Sequence, residues 1–338
     1  MSERNRFVDT LKGIFIIFVI MLHFPYETGE TNRFLFPFWV TMAVPCFMFI
    51  SGYVSALSFK KKGFEKLGEM YAIKGILKRL LRFVIPFTIA FIAEWIVFRI
   101  FKVYLVNVIT YGLRAFCLDW LTGGKGQGSY YFPVMIQLVI VFPIIYLVIK
   151  KFKIGGLAGC FIANAAFDAL ATFCGMSDAA YRLLFFRYLF VVAAGTFFAL
   201  EPDFFKSPVG KITGVCSLIL GISFIFLFSY ADYEPHIFTM WRTTSMLTCL
   251  YIIPILCILI GKCHKGFGSL ELAGKASFNI FLVQMIYYNF VNDMAVYIPS
   301  RPLLLMFNIL NCCIAGILFY IVEKRFTDFI ISKLFSKN

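Results

Sequence analysis

Charge is scarce in this sequence. Only 15% of its 338 residues are charged, against 61% that are hydrophobic, and the mean hydropathy is +0.84. A soluble domain carries about a quarter charged residues and is about half apolar, so this excess has to be buried in something larger than a core. Histidine is scarcer still: His23, His236 and His264 are the only three, and His236 and His264 have no metal-ligand company nearby. No metal site is expected. The ten cysteines form no C-x-x-C pair, and most lie inside apolar stretches (Cys46, Cys160, Cys216, Cys249, Cys257, Cys312, Cys313). Such cysteines act as small buried hydrophobes, which argues against both a disulfide framework and a zinc site. G-x-S-x-G, H-E-x-x-H and Walker A motifs are missing, as is any clear internal repeat. The first apolar run ends in His-Phe-Pro-Tyr-Glu without a small-residue cleavage site, and reads as a retained signal anchor.

What is present is a series of apolar blocks, each roughly 17–25 residues long, the length of a helix that crosses the hydrocarbon layer. About ten spans are predicted, near 8–26, 34–58, 83–101, 130–149, 154–175, 183–200, 212–230, 243–260, 273–295 and 303–322. The expected fold is therefore all-α: a polytopic integral membrane protein in one membrane-embedded domain over 1–338, without an appended soluble domain. Pro45, Pro86, Pro143 and Pro254 should bend helices rather than end them. With the N-terminus inside, the inner segments hold 23 Lys and Arg and the outer segments 7. That asymmetry predicts both termini in the cytoplasm. It also accounts for most of the net charge of +14 without nucleic acid as a partner. The longest outer segment contains LTGGKGQGSYY, too irregular for a phosphate loop and expected to be a flexible re-entry loop.

The polar groups left within apolar surroundings are the candidates for chemistry. Lys12 and His23 are eleven residues apart, about 20° past three helical turns, so they share a face with roughly 16 Å between them. Asp9 precedes Lys12 by three residues and lies on that face too. Lys12 reads either as a snorkelling flank or as a functional cation. His23 reads either as an interfacial histidine or as a general base. In FMFISGY, Ser51-Gly52 permits close helix approach, which is the simpler reading of Ser51. Arg79 and Arg82 sit at i, i+3, suited to lipid headgroups or to the phosphates of a cytoplasmic ligand. Glu94, Gln137, Asp168, Arg187, Gln284, Asn289 and Asn292 are further polar residues in or near spans, and together they favour a hydrated interior.

Four segments together resemble the membrane acyltransferase type 3 family. DTLKGIFIIFVIMLHF is similar to its first helix, which opens D-x-L-R-G with a histidine eleven residues after the basic position. FMFISGY resembles the F-F-x-x-S-G signature, KRLLRFVIPF the arginine-rich entry to the third helix, and GKASFNIFLVQM with YIVEKRF the last two helices. Lys12 replaces an arginine, Gln284 stands where many members have histidine, and YYFPVMIQ replaces a tryptophan-containing motif. The resemblance implies an O-acyltransferase of the cell membrane, the plasma or inner membrane. It would move an acetyl, succinyl or other acyl group from acyl-CoA, a co-substrate rather than a bound cofactor, to a hydroxyl of a cell-surface or lipid-linked glycan. It implies His23 as catalytic base or acyl carrier, and Lys12, Arg79 and Arg82 as holders of the CoA phosphates. Asp9, Ser51, Tyr53, Glu94, Gln137 and Gln284 are candidate lining residues. Partners would be the bilayer, the glycan acceptor and proteins of polysaccharide synthesis or export. The competing readings are a glycan transporter or flippase and a non-catalytic subunit of a synthesis complex.

Overall fold

Peptide groups in an apolar solvent have no water to bond, and a helix satisfies its own. The computed structural model is accordingly built of helices, with no strand among the described residues, which are 5–27, 29–100, 112–231, 233–290 and 294–335. Asn292 and Lys102 lie outside them. Helix α1 (Arg6–Leu22) starts at Asn5, whose side chain accepts from the Phe7 N–H. It is followed by α2 (Ala43–Lys61), α3 (Ile73–Ile100), α4 (Leu113–Thr122), α5 (Tyr131–Phe152) and α6 (Ile154–Phe173). Then come α7 (Leu189–Leu200), α8 (Pro208–Ser229), α9 (Ile252–Lys262), α10 (Gly268–Lys275), α11 (Ser277–Tyr287) and α12 (Arg301–Phe335).

Each of the ten predicted windows holds helix, but among the described residues six stretches are long and apolar enough to cross a membrane unaided. These are Phe36–Lys61, Ile73–Ile100, Tyr131–Phe152, Ile154–Phe173, Pro208–Ser229 and Arg301–Phe335. Phe185–Leu200 and Thr248–Lys262 are shorter. The 17 residues of α1 rise about 26 Å, a little under the roughly 30 Å of the hydrocarbon layer. Residue Ala276 separates α10 from α11.

Two helices outrun their hydropathy windows. Helix α3 begins ten residues before position 83, because Lys and Arg are good helix formers even where they end an apolar run. Helix α12 continues past Lys324 and Arg325. There Glu323 is buried yet satisfied, accepting from Asn279 Nδ2 at 3.1 Å and from the Thr327 hydroxyl. The four prolines end no helix. Pro45 and Pro254 occupy first turns, where no N–H is needed, while Pro86 and Pro143 lie inside α3 and α5.

Small residues set the closest crossings. Helices α2 and α7 pack through Gly52 and Gly195, where any Cβ would run into the carbonyls of Val192 and Phe49 respectively. Helices α1 and α10 pack through Gly13 and Gly274 in the same way, against Leu270 and Asp9 carbonyls. The apolar core runs between these pairs from Phe7 on α1 to Cys312 on α12.

Candidate active site

Helices α1 and α3 carry a basic residue near the start and a titratable residue near the end. On α1 these are Lys12 and His23; on α3 they are Arg79 and Glu94, fifteen residues or roughly 22 Å apart. One short segment pins the two far ends together. The glycine-rich stretch between α4 and α5 packs onto both, so His23 and Glu94 lie at one end of the bundle, roughly three turns or more from Lys12 and Arg79 along their own helices.

Three glycines make that packing possible. Gly123, Gly124 and Gly128 have φ of 96°, 94° and 85°, a region that side chains strongly disfavour. A Cβ on Gly128 would lie 3.2 Å from His23 Cε1, 3.5 Å from its Nε2 and 3.0 Å from the Phe281 ring. A Cβ on Gly124 would lie 2.7 Å from Glu94 Oε2, and one on Gly126 would meet the Met285 backbone and side chain. The backbone N–H groups of Lys125 and Gly126 donate to the Glu94 carboxylate. The segment expected to be a loose loop is thus a fitted cover. It is tethered at its base by Lys125 Nζ and Asp119 Oδ2, 3.5 Å apart, where burial raises the carboxyl pKa and lowers that of the ammonium.

Beneath the cover, polar atoms are left without hydrogen bonds. His23 caps the C-terminal end of α1, half-buried, with Nδ1 closed off from solvent and unpartnered among the described residues. The Tyr288 ring stands edge-on to it at 6.3 Å, held by a 2.7 Å hydrogen bond from its hydroxyl to the Ile20 carbonyl. Gln284 is near enough to His23 to interact with it, yet neither amide atom is in hydrogen-bonding geometry with any described group. Glu94 Oε1 is likewise buried and unpartnered. Burying such atoms without partners costs about 1–3 kcal/mol each, which makes this end of the bundle a candidate place for water or a polar group to bind.

The other predicted residues fall elsewhere. Lys12 is paired with buried Asp9 at 2.6 Å, at the basic end of α1. Arg79 donates to the Met70 and Gly75 carbonyls at 3.0 and 3.2 Å and lies over the Phe59 ring. Part of its fork therefore shapes its own turn, while Arg82, one turn on, is exposed. Gln137 bonds the Leu183 carbonyl and the Phe185 N–H, at 2.7 and 3.0 Å, and so anchors the segment before α7. Tyr53 stacks on Phe198 at 5.6 Å beside the Gly52 crossing, so the FMFISGY motif clamps α2 to α7 around Ser51. The structure brings Gln284 to His23, sets Glu94 against the same glycine segment, and adds Gly128 and Tyr288, which the sequence did not single out. The cluster of glycines was the available signal for Gly128; Tyr288 offered none.

A cleft of about 310 Å³ opens at the end of α2 and α5, lined by Lys60, Phe64, Glu65, Tyr146, Lys150 and Glu201. Lys150 is already paired with Glu65 at 2.6 Å there. Among the described residues, no group of three His, Cys, Asp or Glu side chains is arranged to hold a metal.

A bundle that is helical throughout its described elements, with long apolar helices, defines a multi-pass membrane protein, and a half-buried histidine lies under its glycine segment. Residues 5–322 match the family model described as an acyltransferase domain, nearly the whole chain. The protein belongs to the acyltransferase type 3 family, and it is a membrane acyltransferase. No solved structure matches it.

Proposed function

We propose that the protein is an O-acyltransferase of the cell (plasma or inner) membrane. In this reading it takes an acetyl group from acetyl-CoA on the cytoplasmic face and delivers it to a hydroxyl of a cell-surface or lipid-linked glycan. The chain crosses the bilayer about ten times with both termini inside, an orientation that the Lys and Arg distribution supports. It puts Lys12, Arg79 and Arg82 on the side of the soluble donor and the His23 cover on the outer side.

The observation that carries the reading is His23 itself. It is a half-buried imidazole whose enclosed Nδ1 has no partner among the described residues, at the far end of a helix from a cation, under a glycine whose φ of 85° disfavours any side chain. The CoA phosphates bind at the basic ends of α1 and α3, with exposed Arg82 the most available donor and Lys12 screened by Asp9. The thioester reaches His23, which removes the proton of the acceptor hydroxyl as that oxygen attacks the thioester carbonyl. General-base help of this kind typically supplies about 10²–10⁴-fold. The tetrahedral intermediate then expels the CoA thiolate, which takes up the proton, and the acyl group stays on the acceptor oxygen. Gln284, beside His23, orients the reacting groups.

The test is transfer of label from acetyl-CoA to the glycan fraction of membranes that contain or lack the protein. Label should appear only with the protein, and Arg82→Glu should raise the acetyl-CoA KM before it affects the acceptor KM. If the charge reversal alters the acceptor KM alone, the donor site lies elsewhere.

A further inference from the structure

Beside the His23 cover lies a second polar constellation that the transfer chemistry does not use. Tyr130 follows Gly128 by two residues and forms the cap of α5, so its ring is at the same end of the bundle as His23. The Arg187 guanidinium lies 6.0 Å from the centre of that ring, 5.1 Å from Tyr181 and 4.9 Å from Tyr188. Three tyrosines thus surround one cation.

The cation has little else to bind. Arginine has five N–H donors, and Arg187 Nη2 donates to the Thr244 hydroxyl at a long 3.3 Å. Among the described residues it forms no ion pair. Asp178 is paired with Arg182 at 2.8 Å. Asp168 accepts from Tyr181, Trp241 and Asn164 at 2.7, 2.9 and 3.0 Å. The remaining Arg187 nitrogens are not sealed from solvent, since the residue is only half-buried and none of them is an enclosed, unpartnered atom. Asp168, fixed by three donors, holds Tyr181 and Trp241 rigidly, and Trp241 stacks on Phe238 at 3.9 Å. The result is a preorganised guanidinium that is partly desolvated and keeps N–H donors without a hydrogen bond among the described residues.

We propose that Arg187 and its ring of Tyr130, Tyr181 and Tyr188 form a subsite for an oxyanion carried by the acceptor, the carboxylate or phosphate of a charged glycan. A planar fork suits two-oxygen recognition, and tyrosine faces keep the cation flat and shielded from water. The subsite rests on the reading that the acceptor is a glycan, and it narrows that acceptor to an anionic one.

Binding is measured on the full chain in detergent, from the rise in melting temperature with added probe at matched ionic strength. The probes are D-glucuronate, methyl phosphate and, as the neutral control, methyl glucoside. Wild type should be stabilised by at least one anionic probe and not by methyl glucoside, and the better anion identifies carboxylate or phosphate as the group recognised. Arg187→Gln should weaken that binding about tenfold or more, Arg187→Lys less, and Arg182→Gln not at all. Equal response to neutral and anionic probes, no response in wild type, or equal binding by wild type and Arg187→Gln would overturn the proposal. His23→Ala should bind the probe as wild type does. Transfer without probe binding therefore refutes the subsite alone, and probe binding without transfer refutes the acyltransfer reading alone.

Discussion

Gly128 lies against the His23 imidazole so closely that a Cβ there would stand 3.2 Å from Cε1, on a backbone whose φ is 85°. Replacing Gly128 by alanine meets both obstacles. The left-handed conformation costs about 1–2 kcal/mol for a residue with a Cβ, and the methyl group enters the space above the imidazole. Gly128→Ala should cut transfer at least tenfold while the protein still inserts and elutes as wild type in detergent. Normal activity in a correctly inserted variant would show that the cover does not close on the reacting group.

Gln284 behaves differently if its amide serves a ligand. Both of its side-chain polar atoms are buried without partners, so Gln284→Leu removes a desolvation cost of about 1–3 kcal/mol and keeps the volume. The melting temperature should hold or rise while transfer falls. A lower melting temperature with unchanged transfer would make Gln284 a structural residue.

Asp168 is the opposite case, a buried carboxylate with every bond made. Asp168→Ala leaves Asn164, Tyr181 and Trp241 without their acceptor and should cost about 1–3 kcal/mol for each donor left buried and unpaired. Thermal unfolding in detergent measures it, and Asp168→Asn should recover part of the loss.

Glu271 supplies a pH dependence outside the spans. Arg6 and Lys275, both 2.7 Å away, hold its carboxyl down to about 2, below the ordinary 4.5. A depressed carboxyl stabilises the fold above its unfolded pKa, and that contribution disappears as pH falls from 4.5 through about 2. Wild type should therefore melt above Glu271→Gln at pH 7, and the gap should narrow steadily below pH 4.5. A gap that stays constant to pH 3 would contradict the assignment.

The helical class and most element positions were legible because the bilayer forces both composition and length onto a chain. The α1 stripe was legible too, since helical spacing alone fixes the rise from Lys12 to His23. Hydropathy misjudged the ends of α3 and α12, where basic residues remain helical and Glu323 is satisfied by Asn279 and Thr327. It also could not separate Gln137 and Tyr53, which hold helices together, from Glu94 and Gln284, which keep buried polar atoms unpartnered among the described residues. That distinction depends on partners far apart in sequence, such as Leu183 for Gln137 and the Lys125–Gly126 backbone for Glu94. Glycines in LTGGKGQGSYY signalled an unusual backbone, but only the fold shows that Gly128 lies against His23 and Gly124 against Glu94.

The central claim is that His23 carries the transfer. The direct measurement compares initial rates of label transfer from acetyl-CoA to membrane glycan for wild type and His23→Ala, at equal amounts of inserted protein. The account predicts a loss of about 10²-fold or more, with acetyl-CoA binding retained. Equal rates in the two proteins would contradict it.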